Sequence, residues 1–89
     1  MIKVKRSGNF IKMLDKLDDD PQMYDLIRQR IVLFTKNSKD TRLKNHALRK
    51  KMKGKFAFSI TSDIRIVYQW LGKTMVRFLA IGGHSRVYK

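Results

Sequence analysis

The first six residues, "MIKVKR", alternate apolar and basic side chains, the period-two pattern of a strand, and the charge suits the edge of a sheet. The period then lengthens. Phe10, Met13, Leu14 and Leu17 fall on one face of a helix, and Ser7 stands where a side-chain oxygen can cap it. "DDDP" at 18–21 stops that helix and starts another. Asp20 suits an N-cap, Pro21 the first helical position, and the acids lie at the positive end of the second helix. Met23, Leu26, Ile27, Ile31 and Phe34 form its apolar stripe, which predicts an antiparallel helix pair over an apolar surface. "KNSKDTRLKN", 36–45, is polar and aperiodic and reads as a connecting loop. Three β-rich runs follow, "HALRKKMKGKFAFSIT", "IRIVYQWLG" and "KTMVRFLAIGG", with turn residues at 53–55, 61–63 and 72–73. Short connectors pair such strands antiparallel. The pattern predicts one α+β domain over 1–89: β-α-α, then an antiparallel β-meander, with the helix pair on one face of a curved sheet.

Composition changes this picture in two ways. The chain has 89 residues and no Cys, so a single modest core must hold it without disulfides, and thiolate chemistry is excluded. No apolar run approaches the roughly 20 residues that span a bilayer, and the N-terminal stretch lacks the apolar centre of a signal peptide, which leads us to expect a soluble cytoplasmic protein. Charge is the stronger signal. Residues 1–40 carry nine Lys or Arg against six Asp, net +3, whereas 41–89 carry twelve against one, net +11. Such a field attracts polyanions in a salt-sensitive way. The basic residues are spread over strands and loops rather than along one helix face, which argues against a membrane-surface role. The sheet face away from the helices is the expected seat of an RNA strand.

One residue departs from its surroundings. Arg65 stands among Ile64, Ile66, Val67 and Tyr68, and a side chain that cannot lose its charge is rarely buried without a partner. It either pairs with Asp63, the one nearby acid, or meets an anion from outside.

The order "LKNHAL", "KMKGKFAFSITSDIRIVYQW", "VRFLAIGGHSRVY" resembles the RelE/ParE superfamily of type II toxins, and most closely its YafQ-like mRNA interferases. The resemblance covers the chain in length and element order, with its specific motifs between residues 43 and 88. It implies a ribosome-dependent endoribonuclease that cleaves translated mRNA in the A site, arrests growth, and is silenced by a cognate antitoxin. The implied partners are an acidic antitoxin, mRNA and the ribosome, with the free toxin a monomer and the complex a hetero-oligomer.

RNA cleavage by side chains alone uses the 2′-OH as nucleophile, so its proton must be taken, one must be given to the departing 5′-oxygen, and charge growing on the phosphate must be offset. No metal or other cofactor is expected, because two His and one acid in the basic half fall short of a ligand cluster. The resemblance implies roles residue by residue. Arg65, in "RIVY", matches the phosphate-clamping arginine. His84, after "IGG", matches the histidine of a "GTH" motif and suits the general acid. His46, in "LKNHAL", matches the histidine of "KDHPL" as base or mRNA-orienting group. Asp63 could orient a histidine or accept the 2′-OH proton, or simply hydrogen-bond its own turn. Tyr88 matches a terminal aromatic that stacks on a base or bonds the phosphate, or else pins the C-terminus. Lys50, Lys51, Lys53 and Lys55 around Gly54 are expected to track the RNA backbone, with Arg77 and Arg86 adding to the phosphate surface. Four positions depart from the family pattern: Ser59 for a second histidine, Ile64 for an aromatic, Ala80 for an arginine, and Lys50 for the glycine of an "LxGxLKG" turn. A ParE-like gyrase poison of the same fold, or a non-catalytic RNA-binding protein, are the alternatives. Neither needs Arg65 and His84 together.

Overall fold

A computed structural model describes residues 1–17 and 20–88, without the side chains of Ser85 and Arg86. Asp18 and Asp19, part of the expected helix stop, therefore lie outside the described residues. Five strands form one sheet in the order β1-β5-β4-β3-β2: β1 (Lys3–Arg6), β2 (His46–Ala47), β3 (Phe56–Ser59), β4 (Arg65–Trp70) and β5 (Met75–Gly82). β2 to β5 make the expected antiparallel meander, while β1 lies at the edge and pairs parallel to β5, from Lys3 opposite Met75 to Arg6 opposite Phe78.

Local chemistry sets the helix starts. Ser7 Oγ accepts from the Phe10 N–H at 3.0 Å, opening α1 (Gly8–Leu17), and Asp20 accepts from Gln22 N–H at 3.0 Å ahead of Pro21, opening α2 (Pro21–Lys36). The first cap also ties α1 to the sheet. Between Val67 and Tyr68 the register slips by one residue, so that Val67 faces Ala80 but Tyr68 faces Phe78. The skipped Leu79 offers its carbonyl to Ser7 Oγ at 3.2 Å and Asn9 Nδ2 at 2.9 Å.

Both helices bury their stripes on one sheet face. Phe34 stacks on Phe58 at 4.5 Å and meets Tyr68 edge-on at 4.8 Å, and Phe10 packs on Phe78 at 5.3 Å. Each of these rings is buried, and aromatic pairs of this kind add about 0.5–1.5 kcal/mol beyond burial alone. A smaller cluster of Ala57, Val67, Ala80 and Val87 covers part of the opposite face. Ile66 and Tyr68 thus point towards the helices, and Arg65 and Val67 point away from them.

Three segments differ from the sequence reading. The connecting loop holds a 3₁₀ turn, Thr41–Leu43, whose Leu43 is fully buried in the main core. It went unread because one apolar residue in a polar run has no period. Asp40 caps that turn, accepting from the Arg42 N–H at 2.9 Å and from its guanidinium at 3.0 and 2.9 Å. These bonds hold the Asp40 carboxyl down at about 2. Asn45 then ties the loop to the sheet, donating to Ser38 O and accepting from the Tyr68 hydroxyl, both at 2.9 Å. Burial pushes the Tyr68 phenol up. Second, the part of the run before the expected turn at 53–55 is mostly not strand: β2 has two residues and a 3₁₀ turn follows at Lys50–Met52, while β3 starts at Phe56, directly after that expected turn. Third, the sequence reading contains no helix after the last strand. α3 (His84–Val87) makes one helical turn after Gly83 and plants Val87 in the smaller cluster.

Candidate functional site

Arg65 opens β4 on the face away from α1 and α2, between Ser59 on β3 and Gly82 on β5. Two small neighbours leave room for a long side chain. Tyr88 lies over it: the guanidinium carbon is 6.0 Å from the ring centroid, and Nη1 reaches the hydroxyl at 3.5 Å. Nε is buried without an acceptor, the one such side-chain atom among the described residues. Leaving a buried donor unpaired costs roughly 1–3 kcal/mol. The pair with Asp63 considered from the sequence is absent, and the one ion pair among the described residues is Asp40–Arg42.

The helical turn brings His84 to the same place. One turn separates His84 from Tyr88, and their rings meet edge to face at 4.4 Å and 76°. Tyr88 therefore touches both Arg65 and His84. His46 approaches from β2, and its Nδ1 lies 2.9 Å from Lys44 O. A carbonyl can only accept, so in the neutral ring Nδ1 carries the hydrogen and Nε2 presents a lone pair.

These four residues line an open groove of about 720 Å³. Its other wall is the segment from Ala47 to Met52, including Arg49, Lys50 and Lys51. Four cations thus face the groove, and among the described residues no carboxylate lines it and none of the four is in an ion pair. Arg49 was missed in the sequence reading, although its place beside Lys50 and Lys51 was the signal. Among the described residues no three His, Cys, Asp or Glu side chains converge as metal ligands, and no helix is long and apolar enough to cross a membrane.

The remaining candidates lie apart. Asp63 does not line the groove: its turn is held by Thr61 Oγ1, which accepts from the N–H groups of Asp63 and Ile64 at 3.2 and 2.9 Å. Its carboxylate lies against Gly83, where a Cβ would come within 3.3 Å of it. Lys53 and Lys55 are beyond the groove lining. Arg77 is exposed opposite Gln69, five residues from Gly82 and so about 17 Å along the strand. The side chain of Arg86 lies outside the described residues.

Lys50 is held at φ 56°, in the left-handed region, at the position where the family pattern has glycine. That conformation costs an L-residue roughly 1–2 kcal/mol, partly offset by the greater freedom glycine loses on folding. Lys50→Gly is therefore expected to gain about 0.5–1 kcal/mol, a rise of roughly 2–8 °C in Tm for a domain of this size, while removing a cation from the groove. A thermal melt at or below the parental value would mean that the loop stores no strain there.

The architecture has close counterparts among solved structures. YafQ from E. coli superposes with a TM-score of 0.78 at 20% identity, covering 100% of both chains. A copper-bound mutant toxin from Helicobacter pylori gives 0.72 at 25% identity over 98% of this chain and 99% of that one. A YoeB/ParE toxin from Agrobacterium tumefaciens gives 0.76 at 19% identity over 93% and 99%. This is a RelE/YafQ-like toxin fold. No family model and no curated protein matches the chain. Within the RelE/YafQ-like frame, the departures from the family pattern have local reasons. Ala80 is buried in the apolar cluster with Ala57, Val67 and Val87, where a charged side chain would be costly. Ile64 packs against the main core, and Ser59 sits beside Arg65.

Proposed function

We propose that the chain is the toxin of a type II toxin–antitoxin pair, and that it is an endoribonuclease cutting mRNA in the ribosomal A site. The observation that carries this reading is Arg65, its Nε buried without an acceptor, in one groove with two histidines and with cations that have no ion-pair partner among the described residues. A phosphate in the groove gives the guanidinium the anion it lacks, and the planar fork suits phosphate oxygens better than an ammonium does. His46, hydrogen-bonded through Nδ1, takes the 2′-OH proton on Nε2. The 2′-oxygen bonds to phosphorus, the bond to the 5′-oxygen breaks, and His84 gives that oxygen a proton. The products are a 2′,3′-cyclic phosphate and a free 5′-hydroxyl. Arg65 offsets the charge that grows on the phosphate. Tyr88 is a positioning residue for both Arg65 and His84, and Arg49, Lys50 and Lys51 follow the RNA backbone.

The fold supports the toxin assignment, and a chain from the crystal structure of the E. coli DinJ-YafQ toxin–antitoxin complex, which superposes at TM-score 0.76 and 20% identity, supports an antitoxin partner. For this chain the partner would be acidic, since net +11 on residues 41–89 must be neutralised for inactive storage. A domain of 89 residues offers little surface to hold a flexible mRNA in line, so the decoding site supplies part of the positioning. Single-turnover cleavage is expected to be fast on programmed ribosomes and slow on the same transcript alone. Equal rates would overturn ribosome dependence.

A further inference from the structure

His46 and Ala47 line a second groove, on the other side of β2, of about 580 Å³. Its apolar lining is aromatic. Phe56 and Tyr68 stack at 5.7 Å and 25°, and Trp70 meets Tyr68 edge-on at 6.1 Å. Tyr68 is buried, but Phe56 and Trp70 are only half-buried, at the margin of the face that the helices cover. The cationic lining is Lys39 and Lys44, both exposed and neither ion-paired among the described residues. Asp40 also lines this groove, but Arg42 already occupies its carboxylate.

Flat rings beside unpaired cations are what single-stranded nucleic acid binds: bases stack and phosphates pair. A peptide adding a strand would need a run of open backbone groups, and β2 offers two residues. The two grooves adjoin across the edge strand β2, whose His46 and Ala47 line both, and a strand only two residues long is one that an extended chain can cross. We propose that the second groove is a nucleotide subsite of the RNA path: Trp70 lies five residues and so about 17 Å along β4 from Arg65, and there a base a few nucleotides away from the phosphate at Arg65 stacks on Trp70 while adjoining phosphates meet Lys39 and Lys44. This rests on the chain acting on RNA, but it is tested without cleavage.

Trp70 is the chain's one tryptophan, so its fluorescence reports on this groove alone. The probe is a short 2′-O-methyl oligoribonucleotide, which has no 2′-OH nucleophile and cannot be cut. It should quench Trp70 saturably. Trp70→Leu, which keeps an apolar side chain, should weaken binding of the fluorescein-labelled probe roughly 5- to 150-fold by anisotropy, the worth of one stacked base. Lys39→Ala with Lys44→Asn, where asparagine tolerates the φ of 49° at residue 44, should make the log–log salt dependence shallower by about 1.4. Probe binding that leaves Trp70 fluorescence unchanged overturns the subsite, as does a parental salt slope in the lysine variant, which involves only surface residues and decides the matter even if Trp70→Leu does not fold. Stronger quenching by a glutamate-rich peptide would make the groove a peptide site and also overturn it. Quenching in a protein that cuts no mRNA would keep the subsite and sink the nuclease reading, whereas cleavage without quenching would do the reverse.

Discussion

Arg65→Ala should be soluble, melt at or above the parental temperature, and fail to arrest growth. Removing a donor aimed at charge that develops in the transition state costs about 10²- to 10³-fold in rate. The stability side is as informative as the activity. Nε is buried without an acceptor, and deleting a buried unpaired donor relieves a penalty rather than creating one. Arg65→Lys should be nearly as inactive, because an ammonium presents a point charge where the guanidinium presents a fork. The assay pairs plasmid-borne growth arrest with thermal melts and single-turnover cleavage on programmed ribosomes. A marked loss of stability with retained cleavage would make Arg65 a structural residue after all.

His84→Gln should separate binding from chemistry. Glutamine can hydrogen-bond but cannot deliver a proton, and loss of one general acid costs about 10²- to 10⁴-fold. The residue is exposed and its ring contact is with Tyr88, so folding and oligonucleotide affinity should stay close to parental. Anisotropy measures the second and single-turnover kinetics the first. If Arg65→Ala and His84→Gln both fold normally and still arrest growth, the nuclease reading gives way to a gyrase poison of the same fold.

Much of the fold was legible because it is written in near neighbours. The stripe of Phe10, Met13, Leu14 and Leu17, the caps at Ser7 and Asp20, and the β-rich runs of β4 and β5 each depend on residues within a few positions of one another, and each appears where the pattern put it. Leu43 and α3 were not legible for the converse reason. A single apolar residue in a polar loop and a four-residue helical turn have too little length to show a period, and both are held by distant partners, Leu43 by the main core and Val87 by Ala57, Val67 and Ala80.

The same division runs through the candidate site. By itself the sequence determined that 41–89 would be strongly basic, that an arginine would interrupt an apolar strand, and that the chain would fold as two helices on an antiparallel meander, because charge and periodicity are properties of the chain before it folds. The tertiary structure alone decided which of those residues meet. Register put Arg65 on the face away from the helices between Ser59 and Gly82, and the turn at 84–87 carried His84 and Tyr88 over it. The carbonyl of Lys44 chose the hydrogen-bearing nitrogen of His46, and the left-handed backbone at Lys50 turned the basic loop along the groove. Asp63, two residues from Arg65 in sequence, ended up against Gly83 instead. Proximity along the chain says little about a strand, where successive side chains leave on opposite faces and the partners of each are set by what packs from elsewhere.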